Sequence, residues 1–426
     1  MSVINFFKKR ALFPLSLFAL IAVLFVSEQS FAQEYFIYVA AESEDEVHLI
    51  KFDGKTNEAK IAKTIKVGRF PTETDGPHGI NVSPDGEYWF LSIAHGNPYG
   101  MLAKYKTGTD ELIATTDLGM FPASMEISKS TGFLYVVNFN LHGDMVPSTV
   151  SVVDPDFMEV ITTIETGIMP HGSRITDDGT KQYHVSMMTD ELYEINTAGL
   201  DVNRTLSLKK GAMKMDGMKE HSDESMEHKE NHEEHMKDGT HEKHMNEGKD
   251  DDRSKSNEHS GHDMVGMKKN DGMKMMHAKP EVKPTWADPH PTKPLVYVAG
   301  NGSDEIIEID TKKWEVTRRF KSGKAPYNLE VSHDGKLLVA SYKGEGATGI
   351  FDLESGKEIA KIKNSRRVTH GVAISKDNRY AFLSVEGIGG EPGSVDIIDL
   401  KTNKRVAVVE TGKQAGGIVF WKQTAP

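Results

Sequence analysis

The stretch Gly79-Ile-Asn-Val-Ser-Pro-Asp-Gly-Glu-Tyr-Trp-Phe-Leu91 combines two apolar segments with a tight polar turn between them. Apolar segments on both sides of an Asp-Gly turn are typical of two antiparallel β-strands. The same pattern returns along the chain, and the residue just before the turn marks each copy. These marker residues are Ser83, Ser128, Thr176, Ala287, Ser332, Ser375 and Phe420. Successive markers are 45, 48, 111, 45, 43 and 45 residues apart, so one regular period is interrupted once.

A period of about 40 to 50 residues with several short strands predicts an all-β fold, the β-propeller, in which each repeat forms one four-stranded blade. The seven markers predict seven blades. The chain opens with an isolated strand at 34–40, and the seventh copy contains a first strand only, at 417–421. Residues 34–67 are therefore expected to supply three strands of one blade and 417–421 the fourth. This pairing of the terminal strands closes the ring and removes an unpaired sheet edge.

The repeats resemble those of the YVTN family of β-propellers. Tyr135-Val-Val-Asn138 departs from the motif that names the family at one position, and Tyr297-Val-Ala299 and Tyr38-Val-Ala40 keep its first two residues. Blade openings such as Gly119-Met-Phe-Pro122 and Gly167-Ile-Met-Pro170 also match the family. The resemblance implies a seven-bladed propeller. Members of the family include binding proteins, lactonases and metal enzymes, so function has to be argued from the site.

The composition excludes several classes of site. The chain has 426 residues and no Cys, which excludes disulfides, cysteine zinc sites, thiol nucleophiles and iron–sulfur clusters. The net charge of -12 argues against nucleic-acid binding, because that requires a basic surface. Met and His are abundant, at 20 and 18 residues, and both are neutral side chains that bind soft and borderline metal ions.

The first 32 residues have the features of an export signal. Basic residues at 8–10 precede an apolar run at 11–26, and Ser30-Phe-Ala32 supplies the small residues of a cleavage site. The apolar run is shorter than the roughly 20 residues that span a bilayer. We therefore predict a periplasmic or secreted protein without a membrane anchor after cleavage. The predicted organisation is a signal peptide at 1–32, propeller residues 33–208, an insert at 209–279 and propeller residues 280–426.

The insert at 209–279, the Met/His segment, has an unusual composition. It holds 11 of the 20 Met and 9 of the 18 His, and it contains no Phe, Tyr, Trp, Ile or Leu. Such a segment has too little apolar surface to offset the entropy of folding, so it is predicted to be disordered. A low-complexity linker without a metal function is the alternative interpretation.

Pairs of histidines three residues apart recur in the Met/His segment, each with a methionine close by. Imidazole together with thioether favours copper or silver, with zinc as a further option. The segment resembles the Met/His-rich tracts of bacterial periplasmic copper and silver resistance proteins. Its predicted metal ligands are His232, His235, Met236, His241, His244, Met245, His259, His262, Met264, Met273, Met275, Met276 and His277.

Five other histidines lie at related positions in the repeats. His78, His171 and His370 lie at blade entries, whereas His95 and His142 follow second strands. Both kinds of loop emerge on one face of a propeller, so we expect the five imidazoles at one mouth of the channel, as a metal or anion site. The alternative is that each histidine only bonds a neighbouring loop. By this alignment the other entry positions hold Ala123, Val282, Tyr327 and Ala415.

Three functions stay open on the sequence. The first is an exported binding protein that captures copper ions in metal homeostasis or delivery, with metal ions and another periplasmic protein as partners. The second is an enzyme at the histidine-lined mouth. It would be a lactonase-like hydrolase using acids such as Asp75, Glu126 and Glu330, or a copper redox protein, because the histidines resemble those in the propeller domain of nitrous-oxide reductase. The third is a protein-interaction platform. The sequence has no Gly-x-Ser-x-Gly elbow and no phosphate-binding loop, so binding is favoured over catalysis.

Overall fold

The computed structural model describes residues 33–69, 72–95, 100–211 and 279–425. In this part of the chain, strands β1 to β28 form seven four-stranded antiparallel sheets. Each sheet is one blade of a seven-bladed β-propeller, so the predicted fold is confirmed. The described residues contain one short helical element, a 3-10 turn at Glu42–Glu44, and none of their helices is long and apolar enough to cross a membrane. The predicted signal peptide at 1–32 lies outside the described residues.

The strands of the first four blades are given in order from the innermost strand, at the channel, to the outermost. Blade 1 consists of β28 (Ala415–Gln423), β1 (Glu34–Ala41), β2 (Glu46–Asp53) and β3 (Ala59–Lys66). Blade 2 consists of β4 (Pro77–Val82), β5 (Tyr88–Ile93), β6 (Met101–Lys106) and β7 (Leu112–Asp117). Blade 3 consists of β8 (Pro122–Ile127), β9 (Leu134–Asn138), β10 (Pro147–Asp154) and β11 (Glu159–Ile168). Blade 4 consists of β12 (Pro170–Ile175), β13 (Lys181–Ser186), β14 (Glu191–Asn196) and β15 (Asp201–Ser207).

The remaining three blades follow the insert and have the same order. Blade 5 consists of β16 (Pro284–Pro289), β17 (Leu295–Gly300), β18 (Glu305–Asp310) and β19 (Glu315–Lys321). Blade 6 consists of β20 (Pro326–Val331), β21 (Leu337–Tyr342), β22 (Ala347–Asp352) and β23 (Lys357–Lys363). Blade 7 consists of β24 (Val368–Ile374), β25 (Tyr380–Glu386), β26 (Ser394–Asp399) and β27 (Lys404–Glu410).

The two ends of the described chain close the ring in blade 1. β28 pairs antiparallel with β1, with Tyr38 opposite Val419. Beyond β28, the backbone N–H of Thr424 donates to the carbonyl oxygen of Glu34 at 2.9 Å. The predicted pairing of the terminal strands is therefore confirmed. With β28 in place, the innermost strand of every blade contacts the innermost strands of both neighbouring blades, so the ring is closed.

Apolar clusters between neighbouring blades form the core. Between blades 1 and 2, the Trp89 ring stacks on Tyr105 at 4.0 Å and on Tyr38 at 5.2 Å between centroids. All three aromatic side chains are buried. Stacked aromatic pairs of this kind add to the free energy gained by burying their surface. Outer strands such as β3 and β7 consist mostly of exposed residues, as expected for a solvated edge.

Two glycines bring the innermost strands close together around the channel. A Cβ atom at Gly79 would overlap the carbonyl oxygen of Ala123 in the next blade, and one at Gly417 would overlap that of His78. Only glycine tolerates such a close backbone approach. Gly417 is therefore the equivalent of Gly79, which makes Gly416 the entry residue of blade 1.

The structure corrects the predicted alignment at two blades. In blade 5 the first strand begins at Pro284, as other first strands begin at a proline, so the entry residue is Thr285. The turn marker there is His290, whose Nδ1 accepts the backbone N–H groups of Thr292 and Lys293 at 3.1 and 3.0 Å. Several prolines replace the Asp-Gly turn in this blade, so the sequence pattern alone did not align this repeat correctly. As entry residues, Thr285 replaces Val282 in blade 5 and Gly416 replaces Ala415 in blade 1. As turn markers, His290 replaces Ala287 and Trp421 replaces Phe420.

Candidate functional site

Three histidines occupy the same place in three innermost strands. His78 and His171 are the second residues of β4 and β12, and His370 is the third residue of β24, which starts one residue earlier. Hydroxyl groups of other strands fix their backbone. Ser124 Oγ donates to the carbonyl oxygen of His171 at 2.5 Å, and Ser341 Oγ donates to that of His370 at 2.6 Å. The innermost strands thus hold the three imidazoles at one end of the channel.

The structure brings the five predicted histidines into one cluster, the histidine mouth. The ring centroid of His78 lies 5.8 Å from that of His370 and 6.3 Å from that of His171. The rings of His95 and His142, on the adjacent loops, lie 5.5 Å apart. Entry positions and second-strand loops therefore do meet on one face of the propeller.

Glu42, in the 3-10 turn of blade 1, joins these two groups of histidines. His78 Nδ1 and His95 Nε2 lie 3.2 and 3.0 Å from its two carboxylate oxygens and donate to them. Burial raises the pKa of the Glu42 carboxyl, but the charge of His78 and the hydrogen bonds from both histidines outweigh it and hold the pKa well below its usual range. An ionised carboxylate behind an imidazole is the arrangement that orients metal-binding histidines.

The hydrogen bonds of His171 fix its tautomer. Its Nδ1 lies 2.9 Å from the carbonyl oxygen of Thr285, which only accepts, so Nδ1 carries the proton. Its Nε2 is then an acceptor and receives the hydroxyl proton of Tyr327 at 2.9 Å. Burial and the charge of His78 lower the pKa of His171 to about 3. His171 is therefore a neutral imidazole whose two nitrogens are both engaged.

His370 lies beside a partly buried ion pair. Lys343 Nζ is 3.6 Å from a Glu386 carboxylate oxygen, which in turn is 3.8 Å from His370 Nε2. His370 Nδ1 is buried and has no hydrogen-bond partner among the described residues. Burial and the charges of Lys343 and His78 lower the pKa of His370 well below its usual value. His370 thus presents a neutral ring with one unused nitrogen.

The His95–Glu42 pair predicts a pH-dependent contribution to stability. Its hydrogen bond to Glu42 raises the pKa of His95, against the opposing effect of burial. A histidine with a raised pKa stabilises the fold fully below its unfolded pKa of about 6.5, and this stabilisation is lost as the pH rises through the folded pKa. His95→Gln should therefore lower the free energy of unfolding by about 1 kcal/mol at pH 5.5, a modest value because the ring is one-third exposed.

Urea unfolding of the wild type and of His95→Gln across pH 5.5 to 8.5, at about unit intervals, measures this difference. The difference should shrink as the pH rises. Glutamine keeps a neutral donor for Glu42, so the variant isolates the charge rather than the packing. A difference that stays constant or grows with pH contradicts the assigned pair.

Among residues 33–69, 72–95, 100–211 and 279–425, no three His, Asp or Glu side chains are already placed to hold one metal ion. At the histidine mouth, two of the imidazole nitrogens are already engaged in hydrogen bonds. Glu42 engages His78 Nδ1, and Tyr327 engages the accepting nitrogen of His171. His171 can bind an ion through Nε2 only if the Tyr327 hydroxyl releases that nitrogen.

Below the histidine mouth, the channel is lined by Arg174, Trp286 and Asn328. Trp286 Nε1 and Asn328 Oδ1 are buried without a hydrogen-bond partner among the described residues. The acids Glu126 and Glu330 each accept a backbone N–H of a neighbouring first strand, at 2.6 and 3.2 Å. These two carboxylates, considered above for a hydrolase, therefore help to hold blades together.

The Met/His segment joins the propeller on the face of the histidine mouth, between β15 and β16. The backbone N–H of Leu208 donates to the carbonyl oxygen of Asp190 at 2.8 Å. The buried Asp190 carboxylate accepts the backbone N–H groups of residues 281–283 at 2.7 to 3.0 Å. Met187 and Met188, in the same loop, pack against the apolar cluster beside the mouth. One loop thus anchors both flanks of the segment, and its boundaries at 209 and 279 stay a prediction.

The predicted ligands of the Met/His segment, from His232 to His277, lie outside the described residues. Within the described chain, the site contains three charged residues that were not predicted from the sequence. Glu42 and Lys343 directly follow second strands and Glu386 ends one, whereas His95 and His142 lie two and four residues after theirs. Comparing all seven positions after the second strand would have found them. Tyr327 was aligned at a blade entry but was given no role.

No family model and no curated protein matches the chain. Two solved structures are similar to it. One is a functionally unknown protein from Desulfotomaculum acetoxidans DSM 771, with 13% identity, a TM-score of 0.60 and coverage of 91% of this chain and 98% of that chain. The other is hydrazine synthase of Kuenenia stuttgartiensis, with 17% identity, a TM-score of 0.50 and coverage of 79% and 80%.

At these identities the likeness shows the fold alone. Together with the seven four-stranded sheets, it defines the class as a β-propeller. Membership of the YVTN family stays a prediction from the sequence motifs.

Proposed function

We propose that this protein is an exported β-propeller that binds copper ions through the histidine mouth and the Met/His segment, in metal homeostasis or delivery. The observation that carries the proposal is the convergence of three imidazoles. The ring centroid of His78 lies 5.8 Å from that of His370 and 6.3 Å from that of His171. Imidazoles backed by a carboxylate or a carbonyl oxygen suit copper and other borderline ions, and burial keeps His171 and His370 neutral.

The ring separations fit one shared ion. An imidazole nitrogen binds such an ion at about 2 Å, so the ring centroid lies about 3 Å from the ion and two rings on one ion lie about 5 to 6 Å apart. The separation of 5.8 Å between His78 and His370 lies within this range, and that of 6.3 Å between His78 and His171 lies slightly above it. Small side-chain movements therefore suffice to bring two imidazoles onto one copper ion.

The Met/His segment adds a second set of ligands on the same face of the propeller. Its 11 Met and 9 His supply thioether and imidazole groups without any thiol, because the chain has no Cys. Such ligands favour exchangeable binding of soft ions. The anchor of both flanks on Asp190, beside Met187 and Met188, supports transfer of ions between the segment and the mouth. Export through the predicted signal peptide at 1–32 belongs to the same proposal.

Separate titrations of Cu(I) and Cu(II), in competition with a chelator of known affinity, test the proposal. They compare the full chain with a linker variant, in which residues 209–279 become a Gly/Ser linker of equal length. The full chain should bind several equivalents and the linker variant about one, at the mouth. A matched control keeps the length and charge of the segment but replaces its Met and His by Ser and Asn, and it should behave like the linker variant.

Two outcomes overturn parts of this account. If the full chain binds no more copper than the linker variant, the segment is not a copper ligand. If the linker variant binds none, the mouth is not a copper site.

Protein docking is the second candidate function, and the outer strands of blades 2 and 3 favour it. Leu112 and Ile113 on β7 and Val160 and Ile161 on β11 are exposed apolar side chains at matching places in adjacent blades. Exposed apolar patches mark interaction surfaces when they are contiguous. Capture of a partner from a periplasmic extract by the wild type, and its loss with Ile113→Lys plus Ile161→Lys, is the expected result. Equal capture by both chains contradicts docking at this surface.

A further inference from the structure

Tyr327 occupies the same place in blade 6 that His78 and His171 occupy in blades 2 and 4. It is the second residue of β20, so its side chain enters the histidine mouth from the innermost strand. Its ring centroid lies 5.2 Å from that of His171 and 4.7 Å from that of His370. The phenol therefore stands between two of the three entry histidines.

The Tyr327 hydroxyl is hydrogen-bonded to the one nitrogen of His171 that could coordinate a metal ion. Since His171 Nδ1–H donates to the carbonyl oxygen of Thr285, only Nε2 has a lone pair, and the Tyr327 hydroxyl donates to it at 2.9 Å. A metal ion and the hydroxyl proton cannot share that lone pair. Binding of an ion by His171 thus requires this hydrogen bond to break.

The surroundings of Tyr327 hold its ring in this position. Lys343 Nζ lies 4.3 Å from the centroid of the Tyr327 ring, within the range of a cation–π contact. Glu386 in turn pairs with Lys343 at 3.6 Å. The tyrosine side chain is therefore fixed by its ring as well as by its hydroxyl, and the hydroxyl bond is one of several contacts that an entering ion has to displace.

We propose that Tyr327 is a gate on the copper site of the histidine mouth, which competes with the ion for His171 Nε2. This inference rests on the proposed function and adds regulation to the same site. With the gate closed, only the entry imidazoles of His78 and His370 are available, and both of them hold the ion. With the gate open, His171 completes a three-imidazole site. The gate lowers the affinity of the site for copper, because the Tyr327 hydroxyl competes with the ion for His171 Nε2.

The test is a double-mutant cycle in the full chain, with the wild type, Tyr327→Phe, His171→Ala and the double variant. Phenylalanine keeps the ring contacts and removes only the hydroxyl. Since one hydrogen bond no longer competes, Tyr327→Phe should bind Cu(I) at the mouth about three- to tenfold more tightly. His171→Ala should abolish this gain in the double variant. Tyr297→Phe, which removes a buried tyrosine hydroxyl bonded to Glu308 in blade 5, is the matched control and should leave the affinity unchanged.

The outcomes separate the gate from the site itself. If His78→Ala plus His370→Ala leaves copper binding of the linker variant unchanged, the mouth is not the copper site and the proposed function fails there. If that pair weakens binding but Tyr327→Phe has the affinity of the wild type, the site stands and the gate is wrong. A gain in Tyr327→Phe that persists in the double variant also overturns the gate, because it does not pass through His171. Circular dichroism of every variant checks that the β-sheet fold is retained.

Discussion

A linker variant in which His78, His171 and His370 are all replaced by alanine is expected to bind copper at least about a hundredfold more weakly than the linker variant alone, since loss of a single supporting contact already costs ten- to a hundredfold. The ring centroids of His171 and His370 lie 6.3 and 5.8 Å from that of His78, so the variant removes all three converging imidazoles. Equilibrium dialysis against Cu(I) with a competing chelator measures the loss.

A control separates loss of ligands from general damage. His333→Ala in the same background removes an exposed histidine that contacts the backbone of Ile374, away from the mouth. Its copper affinity should equal that of the linker variant. If the triple variant retains the affinity of this control, copper does not bind at the entry histidines.

Removal of residues 414–426 is expected to abolish cooperative folding. This truncation deletes β28, which provides the innermost strand of blade 1 and contacts β4 and β24 in the neighbouring blades. The loss of its backbone pairing with β1 and of buried Ala415 and Ile418 should cost more than about 5 kcal/mol, comparable with the whole stability of many domains. Thermal unfolding followed by circular dichroism measures the effect.

The matched control for this truncation removes Ala425 and Pro426 only. These two residues follow Thr424, the last residue bonded to β1, so their loss should leave the unfolding transition in place. An unchanged transition in the longer truncation contradicts closure of the ring by β28.

The fold was predictable because each blade repeats the same local pattern. Apolar alternation and the turn before residues such as Tyr88 specify a strand pair without long-range information, and a regular period then counts the blades. Closure of blade 1 followed from an unmatched strand at each end. The alignment failed where local chemistry changed, at His290, which takes over the role that Ser332 has in the next blade by accepting the backbone N–H groups of the turn.

The site was predictable only in part. His78, His171 and His370 are visible because they recur at one place in the repeat. Their hydrogen-bond partners come from other blades, and their pairing depends on how the ring closes. Glu42, for example, precedes His78 by 36 residues and lies in blade 1, whereas His78 lies in blade 2. Tyr327 and His171 are 156 residues apart, and no local pattern links them.

X-ray absorption at the copper edge of the linker variant, loaded with one equivalent of Cu(I), tests the central claim most directly. The account predicts two or three imidazole nitrogens at about 2 Å, as for imidazole on other borderline ions, and loss of one of them in His171→Ala when Tyr327 is phenylalanine. A first shell of oxygen or sulfur atoms without imidazole, or copper that washes off the linker variant before measurement, would contradict a copper site at the histidine mouth.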